Sequence, residues 1–173
     1  MMPLVPVPGR SCGSCSLCCK LLGIVELDKP RGNWCPHCVP GKGGCQVYDD
    51  RPQECRTFHC GWLVNPRFGP EWQPTTAKIV LAHDGTHIVA YVDPGFPAAW
   101  RKEPYYSVLK ELATEGIEHD KQVPVYVDIR GRTFVLLPND DVDLGVLDPD
   151  DRVVIRRRAG QGWEAFKAPA LRG

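Results

Sequence analysis

The chain has 173 residues, enough for one domain with a fair core or one domain plus a small module. Its formal net charge is zero, which argues against a protein held by charge to nucleic acid or to a membrane surface. Seventeen glycines and seventeen prolines forecast few helices and many turns and short strands.

The first segment, MMPLVPVPGR, is apolar but short, broken by three prolines and without a basic start. It is read as a tail rather than a secretory leader, and no later run of about 18 apolar residues suggests a membrane span. The expectation is a cytoplasmic protein. In a reducing compartment, clustered cysteines are metal ligands more often than disulfides.

Nine cysteines follow, all between Cys12 and Cys60: Cys12, Cys15, Cys18, Cys19, Cys35, Cys38, Cys45, Cys55 and Cys60. The odd count weakens a pure disulfide framework. This stretch is loop-rich and poor in long apolar runs, so a metal is expected to replace a core of its own. In C-x-x-C a tight turn brings two sulfurs to one side, at the separation a tetrahedral zinc needs. The segment CGSCSLCC doubles that spacing and then adds Cys19 directly after Cys18. Adjacent cysteines point in different directions, which suits two neighbouring centres or bridging sulfurs better than one mononuclear ion. Iron–sulfur clusters also use thiolates, and C-x-x-C-x-x-C begins the bacterial ferredoxin run. Here Cys19 comes at once and the Cys-Pro pair only at Cys35, a departure from that run.

The next segment, GGCQVYDDRPQECRTFHC, completes a pattern. Together with CGSCSLCC it resembles the CxxCxxCC family, the zinc- or iron-chelating domain of YkgJ-like cysteine cluster proteins. The matching positions are Cys12, Cys15, Cys18, Cys19, Cys35 with Pro36, Cys45, Tyr48, Arg51, Pro52, Cys55, Arg56, Phe58 and Cys60. The resemblance covers residues 10–62 and implies eight thiolate ligands: Cys12, Cys15, Cys18, Cys19, Cys35, Cys45, Cys55 and Cys60. Cys38 departs from the pattern, since the family usually has an apolar residue near it. It stands as an extra ligand candidate, as do His37 and His59, each adjacent to a cysteine. A four-thiolate zinc site carries excess negative charge that is costly to bury. Arg51 and Arg56 are placed to offset it by donating to sulfur or to nearby carbonyls, with a surface pairing to Asp49, Asp50 or Glu54 as the alternative for Arg51.

LVNPRFGPEWQPTT, from Leu63, reads as a linker or an ordered loop over the cluster. KIVLAHDGTHIVAYVD reads as a β-hairpin around Asp84-Gly85, with His83 and His87 at a polar tip. PYYSVLKELATEG reads as the one good helix. Its apolar stripe is Tyr105, Val108, Leu109, Leu112 and Ala113, with Pro104 in the first turn and Gly116 as the stop. VPVYVDIRGRTFVLLP gives a second hairpin turning at Gly131. RVVIRRR and WEAFKA give a third around Gly160 and Gly162. NDDVDLGVLDPDD lacks the calcium-loop pattern and reads as a solvated acidic loop. Arg156, Arg157 and Arg158 form a basic patch that neighbouring aspartates partly cancel, which argues against a nucleic-acid partner. No nucleophile elbow, phosphate loop or dinucleotide fingerprint is present, and no residue is assigned to catalysis.

The expected fold is α+β: a cysteine-rich, loop-rich metal-binding module, 10–62, packed on a small antiparallel β-sheet domain with one main helix, 63–173. The expected function is metal binding. Two zinc ions, most simply structural because every position is filled by thiolate, serve metal handling or an interaction. An iron–sulfur protein with a redox or enzyme-component role is the alternative, and a metal sensor or chaperone the second.

Overall fold

The structure is a computed structural model and describes residues 5–39, 43–83, 85–118 and 123–169. Five strands form one sheet in the order of the sequence: β1 (Ile79–His83), β2 (Ile88–Val92), β3 (Val125–Ile129), β4 (Arg132–Leu136) and β5 (Asp141–Val146). A separate hairpin joins β6 (Asp151–Arg158) to β7 (Gly162–Pro169). All three expected hairpins are present, with Asp84 at the first tip lying outside the described residues, as do residues 1–4 of the N-terminal tail. The fold class is α+β as expected, with one difference. β2 and β3 pair in parallel, so the sheet is mixed. The reason is the connection: the main helix, Tyr105–Glu118, crosses over between these two strands and returns the chain in the same direction.

Alternation along the strands gives the sheet two buried faces. Ile79, Leu81, Ala90, Val92, Val125, Val127 and Leu136 point to one face, where Leu109 and Ala113 of the helix and the ring of Trp100 cover them. The helical stripe read from the sequence is therefore a core stripe, and Leu109 and Ala113 are fully buried. Gly116 does not stop the helix, which continues to Glu118. Its role is close approach: a β-carbon there would collide with the Val123 backbone, whose N–H donates to the Gly116 carbonyl.

The segment after Leu63 is more than a linker. Phe68 and Trp72 enter the main core, with ring centroids 5.0 Å apart, and Trp72 meets Tyr105 edge-on at 5.1 Å. The acidic stretch is likewise not a loop. Residues Asp141–Val146 form the edge strand β5. Val142 and Leu144 turn inward to the second face, Asp143 turns outward to Arg132, and Asp141 receives Lys110 Nζ and Tyr106 Oη, each at 3.0 Å. The aspartates are the polar half of an alternating strand.

The second face is shared. At β4 and β5 it is covered by the β6–β7 hairpin through Ala165, Val153, Ile155 and Trp163. At β1 and β2 it is covered by the cysteine-bearing third of the chain. Val80, wholly buried, points away from Ile79 and Leu81 and packs on Leu17 and Leu21. Burying side chains of this kind contributes roughly 1.5–3 kcal/mol each. Two ion pairs fix the same junction: Lys20 to Asp93 at 2.7 Å and Arg31 to Asp128 at 3.5 Å, both carboxylates being buried. The expected boundary between residues 62 and 63 falls inside a short helix, Gly61–Val64, which lies against β1. Among the described residues no helix is long and apolar enough to cross a membrane.

Candidate metal centre

The cysteine-bearing third and the residues just after it hold three short α-helices, α1 (Leu17–Leu21), α2 (Gln53–Thr57) and α3 (Gly61–Val64), and one 3-10 turn, Val25–Leu27. Between α1 and α2 the other described residues make turns and isolated bridges, as the glycines and prolines there favour. All nine cysteines are free thiols. They are not scattered over the surface: Cys35 and Cys38 are buried, only Cys12 is exposed, and the rest are half-buried.

The thiols fall into two adjoining groups. Cys12 and Cys15 sit on one turn, closed by the Cys15 N–H to the Cys12 carbonyl at 2.7 Å. Cys15, Cys18 and Cys60 pack on the Leu17, Leu21 and Val80 cluster, with Phe58 and Tyr91 beside them. Cys60 is held there because it immediately precedes α3, which is docked on β1. Cys19, Cys35, Cys38 and Cys55 pack around Ile24 and Leu27 instead. The Cys35 N–H donates to the Cys19 carbonyl at 2.9 Å, and the Cys38 N–H returns to the Cys35 carbonyl at 3.1 Å. Cys45 stands opposite Cys38 in a one-residue antiparallel bridge, fixed by the Gln46 N–H to the His37 carbonyl at 2.9 Å. Cys55 lies on α2, which is tied back by Glu54 and Glu26, each accepting an N–H from the other's segment. Gly43 brings the intervening loop against Ser14 so closely that a β-carbon would strike the Ser14 backbone.

The groups touch through a hydrogen-bonded pair of neighbours. The Cys18 thiol donates to Cys19 and pushes its own ionisation well up. The same bond, helped by a second donation from Cys38 and by the charge of Lys29, brings Cys19 down to about 6 against the opposing effect of burial. Burial raises Cys12, Cys38 and Cys55, and lifts Cys60 to about 11. Most of these thiols therefore keep their protons near neutral pH, and any ion that binds must displace them.

Two cations accompany the sulfurs. Lys29 is buried at 6% exposure, and its ammonium donates to the carbonyls of Lys20, Leu22 and Pro30. Burial lowers its pKa, while the neighbouring Cys35, Cys19, Cys18 and Cys55 pull it back up. Arg51 lies near Cys12 and favours its thiolate. Arg51 and Arg56 themselves donate to backbone carbonyls of the Tyr48–Arg51 loop, and Arg51 lies 3.8 Å from the Tyr48 ring centroid. They brace the loop that carries Cys55 from below.

The histidines divide. His37 belongs to the Cys35–Cys38 turn, and its carbonyl supports the Cys38–Cys45 bridge. His59 has Nδ1 at 3.1 Å from the Thr57 carbonyl and lines a groove with His83, His87 and Tyr91 on the sheet side.

For a thiophilic ion, the donor chemistry fits: soft, reduced, clustered sulfurs with cations beside them. The sulfurs are nevertheless gathered without being closed around a point. Among the described residues no group of three or more His, Cys, Asp or Glu side chains is arranged to hold a metal ion. The fit is one of donor type and grouping. Lys29 and Ser16 were not among the residues singled out from the sequence. Ser16 is buried and donates to Cys38, and Lys29 sits in an LDKPRG turn that reads as surface. No family model, curated protein or solved structure matches the chain.

Proposed function

We propose that the protein binds thiophilic metal through the cysteines of its N-terminal third, as two zinc ions in the simplest case. The observation that carries this reading is the gathering of nine free thiols in one third of the chain, four of them beside a buried ammonium. A buried charge needs a counter-charge or full hydrogen bonding. The groups beside Lys29 whose charge acts on it are Cys35, Cys19, Cys18 and Cys55. Thiolates held by a metal supply negative charge where protonated thiols do not. The ion supplies the missing closure, drawing loops that already lie together onto a common centre. The resemblance of residues 10–62 to the CxxCxxCC family points the same way. Free thiols in this number also suit a reducing compartment, so the cytoplasm is the proposed location.

The test is metal content of anaerobically purified protein, with a visible spectrum of the same sample. About two colourless zinc ions per chain support the reading. Iron with acid-labile sulfide replaces it with redox chemistry, and a chain without metal overturns it.

A further inference from the structure

We propose that the nine thiols are divided between two separate metal centres, the first built by Cys12, Cys15, Cys18 and Cys60, the second by four of Cys19, Cys35, Cys38, Cys45 and Cys55. This rests on the metal-binding reading and adds what spacing alone leaves open, namely which sulfur goes where. Two observations divide the cysteines in the same way.

The first is packing. Cys15, Cys18 and Cys60 touch the Leu17–Leu21–Val80 cluster, and Cys19, Cys35, Cys38 and Cys55 touch the Ile24–Leu27 cluster. Cys18 and Cys19 are neighbours in sequence yet belong to different clusters. Successive residues on an α-helix leave its axis about 100° apart, so the two side chains pack on different clusters, although the Cys18 thiol still reaches Cys19. The doubled cysteine is the point at which the ligand set splits.

The second is support. The first group is carried by the Cys12–Cys15 turn, α1 and the start of α3, all seated on β1 or on the residues that cover it. The second is carried by the Cys35–Cys38 turn, which the Cys35 N–H ties to the Cys19 carbonyl, by the Cys38–Cys45 bridge, and by α2, which is tied to the Val25–Leu27 turn. The two groups therefore share α1, which gives Cys18 to one and Cys19 to the other, while the remaining ligands of each hang on different backbone.

The second group has five sulfurs for the four positions of a tetrahedral ion. Cys38 and Cys45 oppose each other across one bridge, and their bridge is of the kind whose flanking residues make the hydrogen bond. Such pairs bring side chains closest together. The fourth ligand of the second centre comes from this pair.

The experiment counts metal in the full chain and in two double variants, Cys12→Ser/Cys60→Ser and Cys35→Ser/Cys55→Ser, with cobalt(II) spectra of each. Each double variant should lose about half the metal and keep a four-thiolate cobalt spectrum for the remainder. Combining them should remove all of it. The single variant Cys12→Ser, at an exposed position, should weaken only one of two ions against a competing chelator, which keeps the test valid if a double variant folds poorly. Loss of both ions in either double variant, or of both together in Cys12→Ser, overturns the partition in favour of one shared cluster. That outcome leaves metal binding intact. Wild-type protein without metal removes the functional reading itself, so the two failures are distinguishable.

Discussion

Val127 in the sheet and Cys35 in the N-terminal third are both buried, at 0% and 6% exposure, but by different means. Val127 is enclosed by Leu109, Ala113, Trp100 and the strands on either side, all apolar groups that need nothing outside the chain. Cys35 is enclosed by Ile24, Leu27 and other cysteines, on a stretch of turns with only short helical pieces. The first region has enough apolar surface to offset its conformational entropy, whereas the second has few large side chains to bury. What it has instead is sulfur. On the proposed metal-binding reading, one chain is stabilised by two chemistries, and the two regions meet along β1, where Val80 faces one and Ile79 and Leu81 face the other.

The largest expected effect separates the two regions outright. Exposure of the loaded protein to a strong chelator should abolish hydrogen-exchange protection across residues 12–60. Val80, Val125 and Val127 in the sheet should keep theirs. Structural zinc contributes on the order of 10 kcal/mol to small thiolate modules, so the contrast should be plain. Equal loss in both regions would show that the sheet depends on the cluster as well.

The converse perturbation is smaller. Leu109→Ala removes a fully buried side chain from the sheet core and should cost about 2–5 kcal/mol in denaturant melts. Because the cysteine-bearing region docks on β1, this variant should lower the stability of both regions. The chelator should lower one only. A Leu109→Ala effect confined to the sheet would break the proposed one-way dependence.

Much of this asymmetry is legible in the sequence. The restriction of cysteine to residues 12–60 marks the region, and alternation marks the β1–β2, β3–β4 and β6–β7 hairpins. The failures have specific causes. β5 is hidden because Asp141 and Asp143 make its polar half acidic, and that acidity signals solvation more strongly than the alternation signals a strand. The parallel β2–β3 pairing is not local: it depends on where the helix returns the chain. Phe68 and Trp72 look like loop residues among prolines, yet they are core because the loop folds under the helix. At the candidate site, spacing identifies the thiols but not their grouping. Cys60 reaches Cys15 through α3 and β1, a tertiary path that no local motif encodes. Lys29 shows the same limit, since nothing around it in sequence announces a buried ammonium.

Lys29 sharpens the comparison from within the cysteine-bearing region. Replacement of Lys29 by Met removes its three carbonyl contacts in every state, but removes the counter-charge only when the sulfurs are thiolates. The loaded protein should therefore be destabilised more than the metal-free protein, by about 1 kcal/mol for a charge pair at intermediate separation and dielectric. Denaturant melts with and without metal measure the difference. Equal destabilisation would mean that Lys29 is only a hydrogen-bonded strut.

The smallest effect concerns acid. Arg132 holds the Asp143 carboxyl below its ordinary range by a direct hydrogen bond, and the Gly145 N–H adds to it. A depressed folded-state pKa gives stability that is present above the unfolded value and is lost as pH falls through the folded one. The pair is exposed, so screening keeps its contribution slight. Asp143→Asn should flatten the acid limb of sheet stability a little, and salt should erase the difference between variant and parent. On the proposed metal-binding reading, acid should act on the cysteine-bearing region by another route and to greater effect: protons compete with a metal for sulfur, and affinity falls as pH falls. A pH titration followed at Asp143 by NMR and at the metal by cobalt absorbance should therefore show the metal leaving without a matching step in the sheet. A single shared transition would mean that the sheet unfolds with the cluster, and the two stabilising chemistries would then be one cooperative unit.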